Sequence, residues 1–378
     1  MRIDNLRQEE REGKSALCAE VTWEDCDKPP QTVWFATEPD DADALRLSGD
    51  PFVLGALLPA IENGERRLTI DAEVCPRLLE GLETALGILV SWYGEAYRPI
   101  PVETAGARRP DFRRKGHTAV FMSGGIDALA ALRCNHLRYP EGHPFRIRSG
   151  ILMHGFDIGG VVRHGVKQHV HDRARRELAP IMAETGIELV PVWTNIRHLH
   201  DDSAFFLGKY FGALLTGTAQ ALTGRFDRVV LASSYDLDNL GPCGSHPMLD
   251  HLYGSADLDL FHAQPELRRF DKLRLIADWP TGLHHMRVCL QNVPDRLNCG
   301  WCEKCLRTMA GLIALGKLAE CRAFEEDDLD AELFARAKMT INHREPFYIE
   351  MIEPLRATGR DDLADVIVKR LSSEGKLP

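Results

Sequence analysis

Short apolar runs recur along the chain from residue 118 onward, and longer stretches with apolar positions at helical spacing separate them. Residues 118–122 (TAVFM), 149–154 (SGILMH), 187–192 (IELVPV) and 228–232 (RVVLA) are too short for helices and lie between turn-forming residues. That pattern predicts buried strands. Residues 258–261 predict a fifth, and 128–138, 169–185 and 205–222 predict helices. Alternating strands and helices specify βαβ units, hence an α/β fold with a doubly wound parallel sheet. Ligands bind such sheets beyond the carboxyl ends of the strands, near the reversal of strand order. This places the site on segments 123–127, 155–160, 193–195 and 233–238. Met153 and Asp157 then lie at the end of the second strand, and Thr194 and Asn195 at the end of the third.

The pattern differs on either side of that region. Residues 1–105 predict an N-terminal α+β layer with strands at 16–23 and 31–37, joined by an Asp-Lys-Pro-Pro turn into a hairpin. Helices are expected at 51–62 and 73–92, the second with Leu78, Leu79, Leu82, Leu86 and Leu89 on a helical period. No catalytic constellation is visible here, so packing, substrate capping or a homodimer contact is the expected role. Segment 94–115, rich in proline and arginine (Arg108, Arg109, Arg113, Arg114), reads as a linker. Residues 106–315 form the predicted ligand-binding domain. Residues 316–378 are expected to be a solvated helical tail, with helices at 330–339, 345–355 and 360–371, that reaches at most the first domain.

Charge narrows the partners. Over 378 residues the formal net charge is −10 and the basic residues are scattered, whereas phosphate-backbone binding usually shows a basic face. Nucleic acid is therefore not expected as the main partner, and a small-molecule substrate is. The first residues lack the apolar core of a signal peptide, and no run approaches the ~18 apolar residues of a membrane span. A cytoplasmic protein without membrane contact is expected, so its ten cysteines are thiols or metal ligands rather than disulfides. Cys18, Cys26, Cys75, Cys134, Cys243 and Cys321 are scattered and read as buried thiols.

Two motifs carry chemistry. The first is Ser123-Gly124-Gly125-Ile126-Asp127-Ala128, a glycine turn between the first buried strand and a helix. Free N–H groups of the turn and first helical turn, together with the helix dipole, favour an anion there, and the glycines let backbone approach it. The Walker A ending and the third glycine of a dinucleotide fingerprint are both absent. The second is Cys289 followed by Cys299, Cys302 and Cys305. Four thiolates in so short a segment can close a tetrahedral shell around Zn²⁺, and an iron–sulfur cluster is the competing occupant. Past the fourth strand, Ser234, Ser245, His246 and Asp250 are candidate substrate contacts, with loop capping as the plainer role. His154, His164, His169, His171, His284 and His285 are weaker general-base candidates.

The first motif resembles the pyrophosphate loop (PP-loop) of the N-type ATP pyrophosphatases, S-G-G-x-D-S, with Ala128 in place of the final serine. With Cys-x₉-Cys-Gly-x-Cys-x-x-Cys downstream, residues 117–315 resemble the 7-cyano-7-deazaguanine synthase family and its relatives. The resemblance implies a HUP-type domain that binds ATP and Mg²⁺ and converts ATP to AMP and pyrophosphate. A small carboxylate or carbonyl compound is adenylated, and ammonia or another nucleophile displaces AMP. It implies phosphate contacts from Ser123, Gly124, Gly125 and Asp127, an ATP site that also takes in Ile126, Ala128, Met153 and Asp157, a point charge from Lys272, and zinc on the four cysteines. Two other activities are expected competitors: a thiolating enzyme with an iron–sulfur cluster and Cys134 or Cys243 as sulfur carrier, and a non-catalytic nucleotide-binding module. Segment 233–250 is similar instead to PP-loop proteins of undefined substrate.

Overall fold

A computed structural model describes residues 1–110, 116–156, 158, 167–341 and 343–377. The candidates Asp157, His164, Arg113 and Arg114 lie outside the described residues. The chain opens with β1 (Arg2–Arg11), β2 (Lys14–Thr22), β3 (Gln31–Thr37), α1 (Asp50–Glu62), β4 (Leu68–Val74), α2 (Pro76–Tyr93) and β5 (Val102–Ala107). It continues through β6 (Thr118–Phe121), α3 (Ile126–Arg138), β7 (Ile147–His154), α4 (Gln168–Thr185) and β8 (Glu188–Thr194). A short turn of helix, α5 (Ser203–Phe205), passes through a π-helical turn (Phe206–Tyr210) into α6 (Phe211–Ala221). Then follow β9 (Arg228–Ala232), β10 (Asp259–Ala263), α7 (Arg269–Ala277), α8 (Pro280–His285) and α9 (Glu303–Ala314). The tail holds α10 (Ala331–Phe334), α11 (Glu345–Ile349), α12 (Ile352–Ala357) and α13 (Asp361–Ser373).

The ten strands form one mostly parallel sheet in the order β10-β9-β6-β7-β8-β3-β2-β1-β4-β5. Strands β6 to β10 are all parallel to one another, and the fold is α/β. The buried residues of these strands divide by alternate positions between two cores, as the period-2 geometry of a strand demands. Ala119, Ile151, Met153, Val229 and Leu231 face one core with α1, α2 and α6. Val120, Met122, Leu152 and Val230 face the other, with Leu129 of α3, Leu178 of α4 and Leu273 of α7. Helices thus cover both faces.

Three features depart from the sequence pattern. The sheet does not stop at residue 105: β3 pairs antiparallel with β8 and carries the N-terminal hairpin into the same sheet. Thr194 and Asn195 serve that junction rather than a pocket. Thr194 Oγ1 donates to the Trp34 carbonyl at 2.6 Å, and Asn195 accepts from Trp34 N at 2.9 Å and donates to the Thr32 carbonyl at 2.8 Å. Second, β1, β4 and β5 have weak strand signatures. β1 (RIDNLRQEER) buries only Ile3 fully and carries a register shift between Asp4 and Arg7, and β5 replaces part of the expected linker. Third, the tail is not a solvated appendage, and its described buried apolar side chains join the core of α3, α7 and α9 rather than that of the N-terminal layer. Phe334, Tyr348, Met351, Leu355, Ile367 and Leu371 are buried in the same core as α3, α7 and Met309 of α9.

Candidate functional site

The order of the parallel strands fixes where a site can form. From β6 the chain moves outward through β7 and β8, then returns to β9 on the opposite side of β6. The reversal lies between β6 and β9, and the glycine turn leaves β6 at that point. Gly124 has φ +76°, a left-handed conformation that favours glycine. The amide of Gly125 donates to Ser123 Oγ at 3.2 Å, and the Ser123 side chain is otherwise exposed. Gly125 precedes α3, whose N-terminus has no side-chain cap. Amides of the first helical turn are therefore left for water or an anion. Ala128 is 6% exposed and packs in the core, so its methyl group occupies an apolar position.

Cationic groups from α7 converge on the turn. Arg269 Nη1 lies 2.9 Å from one oxygen of Asp127 and 3.1 Å from the other. Asp127 thus spends its carboxylate on Arg269 rather than on capping α3. Lys272, 0% exposed, lies one helical turn further on, 4.0 Å from Asp127, and donates to the Ser233 carbonyl beyond β9 at 2.6 Å. Burial lowers its pKa, and the Asp127 charge offsets part of that shift. A lysine this deep, spanning the reversal between β6 and β9, is not a surface residue.

The cysteine segment adjoins the same turn. The amide of Arg287 donates to the Gly124 carbonyl at 2.8 Å, two residues before Cys289. The four sulfurs lie within 4.8 Å of one another, with pairs at 3.4, 3.8 and 3.9 Å. Zinc–sulfur bonds of about 2.3 Å put tetrahedral sulfurs about 3.8 Å apart. The donor set therefore fits a metal ion such as zinc. The amides of Gln291 and Cys302 donate to the Cys289 and Cys299 sulfurs at 3.3 and 3.2 Å. Gly300 has φ +82°, and a Cβ on it would come 2.3 Å from Glu326 Oε1. Buried Asn298 fastens the knuckle by accepting from the Val288 and Cys289 amides and donating to the Met286 and Ala323 carbonyls.

Compared with protein-family models, curated proteins and solved structures, the chain matches none. What the site can do rests on its own geometry.

The remaining candidates sort by their partners. Asp250 is fully buried and accepts from Ser245 Oγ at 2.8 Å and the His246 amide at 3.2 Å, and pairs with His262 Nδ1 at 2.7 Å. His246 stands edge-on to Trp92 of α2, 4.9 Å between ring centres. These bonds fasten the loop to β10 and α2, and none of them reaches residues 123–127. Ser234 is exposed beside Ser233, and the Met153 side chain is buried in the core on the α6 face. His154 and His171 are buried edge to face at 5.7 Å, and burial plus that neighbour pushes His154 down to about 4. It is neutral at neutral pH. His169 is exposed. His285 Nδ1 lies 3.5 Å from Glu177, and His284 Nδ1 lies 3.5 Å from the Arg322 amide. A cavity of about 540 Å³ lies far along the sheet beside Arg46, Asp71, Glu73 and Arg108.

Sequence reasoning missed Arg269, Arg307, Phe347 and Glu350. Arg269 was within reach, because it stands three residues before Lys272 and shares its helix face. Phe347 and Glu350 were not, because they belong to the tail.

Proposed function

We propose that this protein is an ATP-dependent adenylating enzyme of the PP-loop type, acting on a small carboxylate or carbonyl substrate that ammonia or another nucleophile then attacks. The observation that carries the reading is a single constellation at the strand reversal. An uncapped glycine turn, a buried lysine and a four-cysteine knuckle meet there, and the knuckle's lead-in is hydrogen-bonded to the turn. In this reading the free amides of the first turn of α3, from Ile126 on, and Ser123 Oγ bind phosphate oxygens of ATP. Lys272 supplies a compact charge for the pyrophosphate as it leaves. Arg269 holds Asp127 at the edge of the phosphate site, where the carboxylate can face a phosphate-bound Mg²⁺. The substrate oxygen attacks the α-phosphorus, pyrophosphate departs, and the nucleophile displaces AMP. Zinc on Cys289, Cys299, Cys302 and Cys305 would be structural, because four protein ligands leave no open position.

The thiolating alternative needs a cysteine with an accessible thiolate. Burial pushes Cys243 up to about 11 and also raises Cys134, which favours the adenylating reading. The test is pyrophosphate release from ATP and Mg²⁺ with pools of small carboxylates and ammonium. Release that requires one pool, and that Lys272→Met abolishes, is the expected result. Binding of ATP with no release from any pool would instead favour a nucleotide-binding module.

A further inference from the structure

The two cations at the glycine turn stand on a helix that holds itself weakly. α7 has nine residues, fewer than the ~12–15 at which a helix alone in water is even marginal. Its N-cap residue, Arg268, supplies no side-chain bond, and the carboxylate of Asp271 in the first turn is paired with Arg274 at 2.8 Å. Arg269 opens this helix and Lys272 follows three residues later. The first amides of a helix have no acceptor within it, and fraying of that turn would carry both cations away from Asp127.

The acceptor comes from the tail. Glu350, between α11 and α12, accepts from the Phe270 amide at 3.0 Å through Oε1. Phe270 is buried, so its amide has little water to turn to. The helix dipole favours the charged carboxylate there, and the carbonyl oxygen of the protonated form accepts the same bond. Burial pushes Glu350 up to about 7, so both forms are present near neutral pH and the cap is kept in each. Adjacent tail residues hold Glu350 in place. Phe347 stacks on Tyr235 beyond β9 at 5.2 Å, and the guanidinium groups of Arg307 and Arg269 lie over its ring at 4.8 and 5.4 Å. Tyr348 OH donates to Glu303 of α9 at 2.9 Å, and Arg344 pairs with the same carboxylate. One turn of the tail is thereby tied to the loop after β9, to α7, and to the helix that leaves the cysteine knuckle.

We propose that Glu350 is a positioning residue of the phosphate site: from the C-terminal tail it caps α7, and through that helix it holds Lys272 and the Arg269–Asp127 pair against the glycine turn. Glu350 itself touches no phosphate. Its role rests on the adenylating reading, in which Lys272 supplies the charge for the pyrophosphate, and it makes the tail a working part of that site rather than a cover for the core.

The test is calorimetric titration of the full-length, metal-loaded chain with a non-hydrolysable ATP analogue and Mg²⁺. Glu350→Met fills the same space without the acceptor, and Glu350→Gln keeps an acceptor without the charge. Glu350→Met is expected to weaken binding at least tenfold, and Glu350→Gln by less than about threefold. A residue that acts through Lys272 also loses most of its effect once that lysine is gone. Adding Glu350→Met to Lys272→Met is therefore expected to cost less than about threefold, whereas a general loosening of the fold would cost the same on either background. Should Glu350→Met not fold, Glu350→Ala carries the same expectations. Three results overturn the role of Glu350: equal binding by wild type and the folded variant, a loss in Glu350→Gln as large as in Glu350→Met, or an undiminished loss on the Lys272→Met background. The wild-type titration separates the two ideas. No binding by wild type sinks the adenylating reading and the role of Glu350 together, whereas wild-type binding with any of those three results sinks only the role of Glu350.

Discussion

Lys272 and Asp127 take their meaning from what surrounds them. In the sequence Lys272 is one basic residue in RRFDKLRLI, and a surface position is its ordinary fate. Its complete burial follows from α7 laying Phe270, Leu273 and Ile276 into the core, which carries the lysine inward to the Ser233 carbonyl. A motif can identify such a residue, but a helical period alone cannot. Glu350 carries a separate expectation. Burial raises its pKa from 4.5 to about 7, opposed by the Phe270 amide and the Arg269 charge and reinforced by the charges of Asp236 and Asp271. Between about 4.5 and about 7 the folded state binds more protons than the unfolded one, so stability falls as pH rises through that window. Denaturant titrations at pH 5 and pH 8 should show wild type losing on the order of 2–3 kcal/mol more than Glu350→Gln. An equal pH dependence in the two proteins would contradict this assignment.

At the scale of elements, the parallel strands were legible because burial on both faces leaves unbroken apolar runs. β9 falls at the expected residues, and β6, β7, β8 and β10 shift by only a few. β1, β4 and β5 escaped because their polar residues face solvent and one edge position dilutes the alternation. The cysteine knuckle was legible from spacing and glycine placement alone. Its hydrogen bond to the Gly124 carbonyl was not, since nothing in the spacing says what lies beneath Arg287. The knuckle should hold one zinc ion per chain by elemental analysis. Gly300→Ala, with the wrong backbone region and a carboxylate in the way, is expected to lower that stoichiometry and the Tm together. Full metal content in the variant would mean that the turn tolerates a side chain. Because the knuckle abuts the glycine turn, chelation of the metal is also expected to weaken nucleotide binding, measured by titration before and after zinc is restored.

For the whole molecule, the pairing of β3 with β8 makes the N-terminal hairpin an extension of the parallel sheet, and no local pattern announces a strand pair so distant in sequence. The tail shows the same limit. Its helical periods were readable, whereas the surface they bury against was not. Leu355, fully buried in the core shared with α9, distinguishes an integral tail from an appendage. Leu355→Ala should cost about 2–5 kcal/mol in chemical denaturation, and a cost near zero would mean that the tail is dispensable for folding. No described helix is long and apolar enough to cross a membrane.

The central claim is that the glycine turn and Lys272 bind the phosphates of ATP. Calorimetric titration of the metal-loaded protein with a non-hydrolysable ATP analogue and Mg²⁺ tests it most directly, alongside Ser123→Ala and Lys272→Met. Micromolar binding, about −8 kcal/mol, that Lys272→Met weakens at least tenfold and Ser123→Ala weakens less, is the predicted result. No binding by folded wild type, or equal binding by all three proteins, would contradict the account.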